Sequence, residues 1–283
     1  MAILIAYIFF FVAASASPLQ RRWLATKHSA DLPGQVHLAF YVTLIVAVLG
    51  LVLPIFEPLS LQGRPIAVVA LAILCGVFGA AFFVLSYVSQ KHVDAGVSSI
   101  VSNIYTPITI VLATVFLGES LGARQIAGTV LLLIGMVIVS KKHQTGKFKF
   151  DKYFVLMAIS GICMGVVLTA ERALQKETGF TAGTLLSWWF QCGALGVVAL
   201  YYRARQQFST KDILVTGTLR FLQSLSWVIL IFVVGNLSVV SAVTTFKVVV
   251  IFVFAALLLN ERDDLGRKTV GCLIALVGLL LMK

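Results

Sequence analysis

The sequence contains few charged residues, and acidic ones are the scarcest. Only 12% of its 283 residues are Asp, Glu, Lys or Arg, whereas soluble proteins carry about 25%. This scarcity excludes an ordinary soluble domain. The chain has 11 acidic against 22 basic residues, a formal net charge of +11. Such a surplus would suggest a nucleic-acid partner in a soluble chain. The sequence has no basic face with interleaved aromatic residues, so we expect no nucleic-acid partner.

Residues that commonly hold metals or perform catalysis are also scarce. The four cysteines lie in four different apolar runs, without a CxxC pair: Cys75, Cys163, Cys192 and Cys272. They are interpreted as small apolar packing residues. The four histidines lie in or beside the connections, without ligand spacing: His28, His37, His92 and His143. The sequence has no nucleophile–base arrangement and no glycine-rich phosphate loop. We therefore expect no catalytic residue, metal site or cofactor, no enzyme and no ATP-driven pump.

Long apolar runs are what the sequence has in abundance. Hydrophobic residues make up 60% of it, and runs of about 18 residues with few charges indicate membrane spans. Ten candidate spans follow one another along the chain: 2–19, 36–55, 66–89, 95–116, 124–140, 153–170, 181–202, 212–234, 237–259 and 266–282. The first begins without basic residues, which favours a span over a cleaved signal peptide. Because lipid offers the backbone no hydrogen bonds, we predict an all-α membrane protein with ten transmembrane helices.

The spans divide into two similar halves, 1–142 and 153–283, joined by a basic loop at 143–152. Glu119 matches Glu261 at an offset of 142 residues. Two glycine pairs match at an offset of 143: Gly128 with Gly271, and Gly135 with Gly278. Five helices per half is an odd number, so the second half crosses the membrane in the opposite sense. This predicts two inverted five-helix repeats, an arrangement common among secondary transporters.

Two stretches carry a family resemblance. TPITIVLATVFLGESLGARQIAGTVLLLIGMVIVS resembles the end of an EamA-type repeat of the drug/metabolite transporter superfamily, and TTFKVVVIFVFAALLLNERDDLGRKTVGCLIALVGLLLM resembles a second copy. The shared signature is a helix ending in Gly-Glu or Asn-Glu, a short loop, and a glycine-bearing final helix. Pro107 fits the family's fourth-helix proline, whereas the second half has Val249. The resemblance implies ten helices, a central cavity and alternating access for small metabolites.

The basic residues predict an orientation. Fifteen lie in odd-numbered connections: Arg21, Arg22, Lys27, Lys91, Lys141, Lys142, Lys147, Lys149, Lys152, Arg203, Arg205, Lys211, Arg262, Arg267 and Lys268. Five lie in even-numbered connections or the tail: Arg64, Arg124, Arg172, Lys176 and Lys283. The positive-inside rule places the odd-numbered connections in the cytoplasm. The resemblance implies cytoplasmic termini instead, and we follow the charge count.

The remaining two basic residues, Arg220 and Lys247, lie inside predicted spans. Lys247 falls near the bilayer midplane, and Arg220 lies about 13 Å beyond Lys211 along the helix. A charge there costs about 2.5–3.5 kcal/mol, which usually marks a wet cavity. We find no acidic residue deep in a span, and Glu171 is predicted at the far interface, about 27 Å along the axis from Tyr153. The two cations therefore predict a substrate with an anionic group.

Other residues are added to the candidate substrate site from helix spacing and the repeat. Trp188 and Gln191 share one predicted helix face, and Arg220, Gln223, Ser224 and Trp227 share another. Across the repeat, Lys247 aligns with Tyr105. The same offset aligns Thr244 with Ser102. Some superfamily members that carry phosphorylated or nucleotide-linked sugars resemble this chain in having a lysine on the ninth helix.

These features favour a secondary transporter for a small polar metabolite with an anionic group, in a bacterial inner membrane. An amino-acid or drug exporter is the alternative within the superfamily, and an amino acid would present its carboxylate to Lys247. The resemblance disfavours lipophilic-cation antiport, because such relatives have a buried first-helix glutamate and this chain has no acidic residue before Asp31. A membrane receptor or an enzyme without transport is the alternative of another class. The expected partners are a small-molecule substrate and membrane lipid, with the chain a monomer or homodimer.

Overall fold

The computed structural model describes residues 2–28, 31–60, 63–117, 123–140, 151–234, 247–259 and 265–281. Within these ranges the chain is helical and contains no strand. The helices are α1 (Ala2–Lys27), α2 (Leu32–Leu49) with a 3₁₀ extension (Gly50–Ile55), α3 (Pro65–Gln90), α4 (Ala95–Ser102), α5 (Tyr105–Leu117), α6 (Ala123–Ser140), α7 (Lys152–Thr178), α8 (Phe180–Tyr201), α9 (Thr210–Val234), α10 (Lys247–Leu258) and α11 (Leu265–Leu281).

Six described segments are long and apolar enough to cross a membrane: Leu4–Lys27, Leu32–Ile55, Pro65–Gln90, Lys152–Thr178, Phe180–Tyr201 and Thr210–Leu230. Large apolar side chains such as Ile66 and Leu200 are exposed on the outside of the bundle. Exposure on this scale suits lipid rather than water. The predicted all-α membrane class is therefore confirmed, whereas ten spans and inverted repeats stay predictions.

The predicted fourth span, 95–116, is two helices rather than one. α4 ends at Ser102 and α5 begins at Tyr105. Pro107 has no N–H to donate to the Asn103 carbonyl four residues earlier, and its ring crowds that oxygen. The Asn103 carbonyl instead accepts a hydrogen bond of 3.0 Å from the Thr106 N–H, which is a tighter, 3₁₀-type turn. Proline thus separates α4 from α5.

α1 continues beyond its predicted end. α1 reaches Lys27 instead of residue 19, so Arg21 and Arg22 lie inside a helix, only 8% and 9% exposed. Arg22 donates to the Gln90 carbonyl at 2.5 Å and pairs with Asp94 at 3.5 Å. Assigning these two arginines to a connection was wrong. Removing them lowers the predicted cytoplasmic count from 15 to 13. This count still exceeds the five basic residues predicted on the opposite side, among which Arg172 and Lys176 also lie inside a helix, so the predicted orientation does not change.

Helices of one half pack against helices of the other. α3 packs along α7, α9 along α1, and α6 along α11. Glycines bring α6 and α11 into backbone contact. A Cβ on Gly135 would lie 2.6 Å from the Gly271 oxygen, and one on Gly278 would lie 2.6 Å from the Gly128 oxygen. The glycine faces of these two helices therefore form a seam within one chain.

Candidate functional site

A small cavity lies between α2 and α3 of the first half and α8 and α9 of the second. Its lining combines apolar, aromatic and polar side chains: Thr43, Val46, Phe83, Trp188, Gln191, Arg220 and Ser224. Its free volume is about 30 Å³, enough for about two water molecules. A metabolite needs more room than this, so the described conformation is closed around the cavity.

Arg220 supplies the positive charge of the cavity. It lies within α9, about 15 Å along the helix axis from Thr210. Its guanidinium carbon is 5.3 Å from the centroid of the Phe83 ring, a cation–π distance. One guanidinium nitrogen, Nη1, donates to Gln223 Oε1 at 3.0 Å. The sequence predicts Arg220 inside a span and on one helix face with Ser224. Both residues line the cavity.

A chain of hydrogen bonds links the cavity wall to an acidic residue. Gln191 Nε2 donates to Ser187 Oγ at 2.8 Å, and that hydroxyl donates to Glu171 Oε2 at 2.5 Å. The Glu171 carboxylate is also close enough to attract Arg220. Gln191 therefore links the Glu171 carboxylate on α7 to the cavity that contains Arg220 of α9.

α7 extends beyond residue 170, the predicted end of its span, and contains Glu171. α7 continues to Thr178, so Glu171 lies about two turns inside the helix. The signal was present in the sequence. Residues 171–178 include neither glycine nor proline, and the first break is Gly179, whose φ is +89°. Only glycine adopts such an angle readily.

Lys247 and Tyr105 contact each other, as their alignment across the repeat suggests. Lys247 Nζ donates to the Tyr105 hydroxyl at 3.3 Å. The same nitrogen lies 5.6 Å from the centroid of the tyrosine ring. Neither residue lines the cavity that contains Arg220. The two cations predicted to act together therefore lie in separate settings.

The remaining predicted site residues fall into three groups: some line the cavity, some pack between helices, and one lies outside the described residues. Trp188 and Gln191 line the cavity. Trp227 packs against α1, with its ring 5.9 Å from that of Phe10. Ser102 donates to the Ser98 carbonyl at 2.6 Å and contacts Met157, so it joins α4 to α7. Thr244 lies outside the described residues, as do Glu119 and Glu261.

Comparisons with known proteins show which family the chain resembles. Residues 1–141 match the model of the EamA-like transporter family. The chain belongs to this family. It is a membrane transporter and not an enzyme. This EamA-like chain is similar to a protein of Streptantibioticus cattleyicolor named "Probable terminal-alkyne amino-acid exporter". The identity is 26% over 217 residues, covering 74% of this chain and 71% of the relative.

A solved structure supports the fold of the EamA-like chain. It is described only as the crystal structure of a protein and matches with a TM-score of 0.61 at 15% identity. The match covers 99% of this chain and 95% of that one. At this identity the likeness concerns the fold alone.

Polar contacts join the two halves at both ends of the EamA-like bundle. At one end Asp31 accepts from Arg205 at 3.0 Å and from Gln207 at 2.6 Å. The Gly34 N–H, followed by Arg205, holds the pKa of the Asp31 carboxyl below its ordinary value. At the other end Arg64 pairs with Glu177 at 2.8 Å. The two halves are thus joined by polar contacts at both ends of the bundle.

Proposed function

We propose that this EamA-like protein is a secondary transporter that carries a small metabolite with a carboxylate group by alternating access. The observation that supports it is the Arg220 guanidinium in a closed cavity lined by helices of both halves. Guanidinium donors match a carboxylate in charge and in planar geometry. A site shared by both halves opens to either side when the halves rock against each other.

Inverted repeats are part of this proposal, with 1–142 and 153–283 as the two units. The glycine contacts support it, because they are reciprocal. Exchanging the halves at an offset of 143 turns the contact of Gly135 with Gly271 into the contact of Gly278 with Gly128. A two-fold axis relating the halves has this consequence. Tyr105 and Lys247, equivalent at an offset of 142, contact each other as residues beside such an axis would.

An amino acid is the substrate class that the cavity favours among carboxylates. Its carboxylate would bind Arg220, and its ammonium would be stabilised by Glu171 at the end of the Gln191–Ser187 chain. The name of the Streptantibioticus cattleyicolor relative, an amino-acid exporter, points the same way. A zwitterion also suits the pairing of the Arg220 guanidinium with the nearby Glu171 carboxylate better than a free anion does.

Placement in the membrane follows from the basic residues. We propose that the odd-numbered connections face the cytoplasm of a bacterial inner membrane. The protein would act there as a monomer or homodimer surrounded by lipid. Lys247 and Tyr105 remain proposed substrate contacts for a more open state, because they lie outside the closed cavity.

Counterflow into proteoliposomes tests the function. Vesicles are loaded with one unlabelled amino acid at a time, and the same compound is added outside in labelled form. Acetate and a cationic amine are each tested in the same way as comparison solutes. We expect labelled uptake of carboxylate solutes, a loss of about tenfold or more in Arg220→Gln, and partial retention in Arg220→Lys. Lys211→Gln, which removes an exposed charge from the start of α9, is the matched control. Uptake of the amine alone, or unchanged uptake by Arg220→Gln, would contradict the proposal.

A further inference from the structure

A buried arginine of α1 lies beside the cavity. Arg21 on α1 is only 8% exposed, and its guanidinium carbon is 4.8 Å from the centroid of the Tyr87 ring. Among the described residues, Arg21 Nε and Nη1 have no hydrogen-bond partner, and neither has the hydroxyl of Tyr87, which is 2% exposed. Buried donors left without acceptors are costly, so this arrangement calls for a ligand that accepts hydrogen bonds.

Arg21 is arranged next to Arg220 by the aromatic face of α3. Phe83 and Tyr87 are one helical turn apart, with ring centroids separated by 6.1 Å. Each ring lies beneath one guanidinium, Phe83 beneath Arg220 and Tyr87 beneath Arg21. The two arginines are close enough to repel each other, and Glu171 is the acidic residue whose charge reaches Arg220. The pair therefore carries positive charge beyond what Glu171 balances.

The position of Arg21 along α1 places it on the way out of the cavity. Arg21 lies six residues before the end of α1 at Lys27, about 9 Å along the axis. Arg220 lies ten residues after the start of α9, about 15 Å from that same end of the bundle. Arg21 is thus between Arg220 and the end of the bundle at which α1 ends and α9 begins.

We propose that Arg21 and the Tyr87 hydroxyl form a second anion-binding position beside Arg220, so that the transported solute carries two carboxylates. This rests on the proposed function and adds to it: Arg220 holds one carboxylate and Arg21 the other. An acidic amino acid belongs to this class, with its ammonium group toward Glu171.

Thermal unfolding of the purified full chain, titrated separately with succinate, acetate and inorganic phosphate at one pH, tests the second position. A ligand bound only to the folded state stabilises it in proportion to its affinity. We expect wild type to bind succinate about tenfold or more tightly than acetate. Arg21→Gln should lose that advantage while its affinity for acetate stays the same. Tyr87→Phe should lose part of the advantage, and Lys211→Gln none.

The outcomes separate this inference from the proposed function. Succinate binding no better than acetate, or an advantage that survives in both Arg21→Gln and Tyr87→Phe, overturns the second position and leaves Arg220 in its role. Phosphate binding more tightly than succinate overturns the dicarboxylate assignment. Wild type that binds neither carboxylate, with Arg220→Gln unchanged, overturns the proposed function as well. If Arg21→Gln does not fold, Arg21→Lys and Tyr87→Phe decide: each should reduce the preference for succinate.

Discussion

Asp31 has two structural roles. It caps α2 by accepting from the Gly34 N–H at 3.0 Å, and it binds Arg205 and Gln207 of the other half. An asparagine would keep the cap, because Asn caps helices about as well as Asp, but would lose the charge. Asp31→Asn therefore isolates the contribution of the carboxylate to the contact between the halves.

We expect Asp31→Asn to unfold at a lower temperature than wild type at neutral pH. The Gly34 N–H and Arg205 lower the pKa of Asp31 in the folded state. The ionised group therefore contributes its full stabilisation above its ordinary pKa of about 3.9. That contribution is lost as the pH falls through the lowered value. The measurement is thermal unfolding of both proteins in detergent from neutral to acidic pH. A difference that persists or grows in acid would contradict this origin.

Lys247 offers a second prediction at the scale of a residue. Its ammonium donates to the Tyr105 hydroxyl in the closed conformation, so a role in transport requires that it also meet the solute when the cavity opens. We expect Lys247→Ala to lower counterflow of carboxylate solutes about tenfold, and Lys247→Arg to retain more because it keeps the charge. Tyr105→Phe, which removes only the hydroxyl, should have a smaller effect. Full activity of Lys247→Ala would assign the lysine to packing alone.

Among the elements, the α6–α11 seam depends on the absence of a side chain. A Cβ on Gly135 would lie 2.6 Å from the Gly271 oxygen and 2.7 Å from the Ala275 nitrogen, both backbone atoms. Gly135→Ala should therefore destabilise the protein by about 1–3 kcal/mol through overpacking, and Gly278→Ala by a similar amount. The matched control is Gly193→Ala, because nothing lies within 4 Å of its added Cβ. Thermal unfolding of the three variants checks this, and an unchanged Gly135→Ala would contradict the close seam.

The elements also show how far the sequence determines the fold. Apolar runs correctly predict an all-helical membrane protein, because lipid leaves the backbone no alternative. The ends of helices were less predictable, since hydropathy falls at a charged residue whether or not the helix ends there. α1 continues through Arg21 and Arg22, and α7 through Glu171. Tertiary partners stabilise two of these polar groups: the Gln90 carbonyl accepts from Arg22, and the Ser187 hydroxyl donates to Glu171.

The candidate site was predictable only in part. Helix spacing places Trp188 beside Gln191, and Arg220 beside Ser224, and all four line the cavity. Which helix faces meet is decided by packing between distant segments, and one sequence does not encode this locally. Trp227 thus packs against Phe10 instead of lining the cavity. Lys247 contacts Tyr105 apart from Arg220, although both cations were predicted to serve one site.

For the whole molecule, alternating access requires two halves that separate at one end while remaining joined at the other. The end containing Asp31 is held by residues of both halves, and so is the end containing Arg64 and Glu177. A covalent bond across one end should therefore block transport without unfolding the protein. Gly34 and Gln207 suit this purpose. A Cβ built on Gly34 would lie 3.1 Å from the Gln207 Cβ, close to the separation of about 3.5–4.5 Å found in disulfides.

The most direct test is counterflow by the Gly34→Cys, Gln207→Cys variant in proteoliposomes, oxidised and then reduced. The native cysteines Cys75, Cys163, Cys192 and Cys272 are buried and free, so each single-cysteine variant serves as the control. We predict that oxidation abolishes counterflow in the double variant only, that reduction restores it, and that a carboxylate solute still raises the unfolding temperature of the oxidised protein. Counterflow by the oxidised double variant at the reduced rate would contradict transport by alternating access.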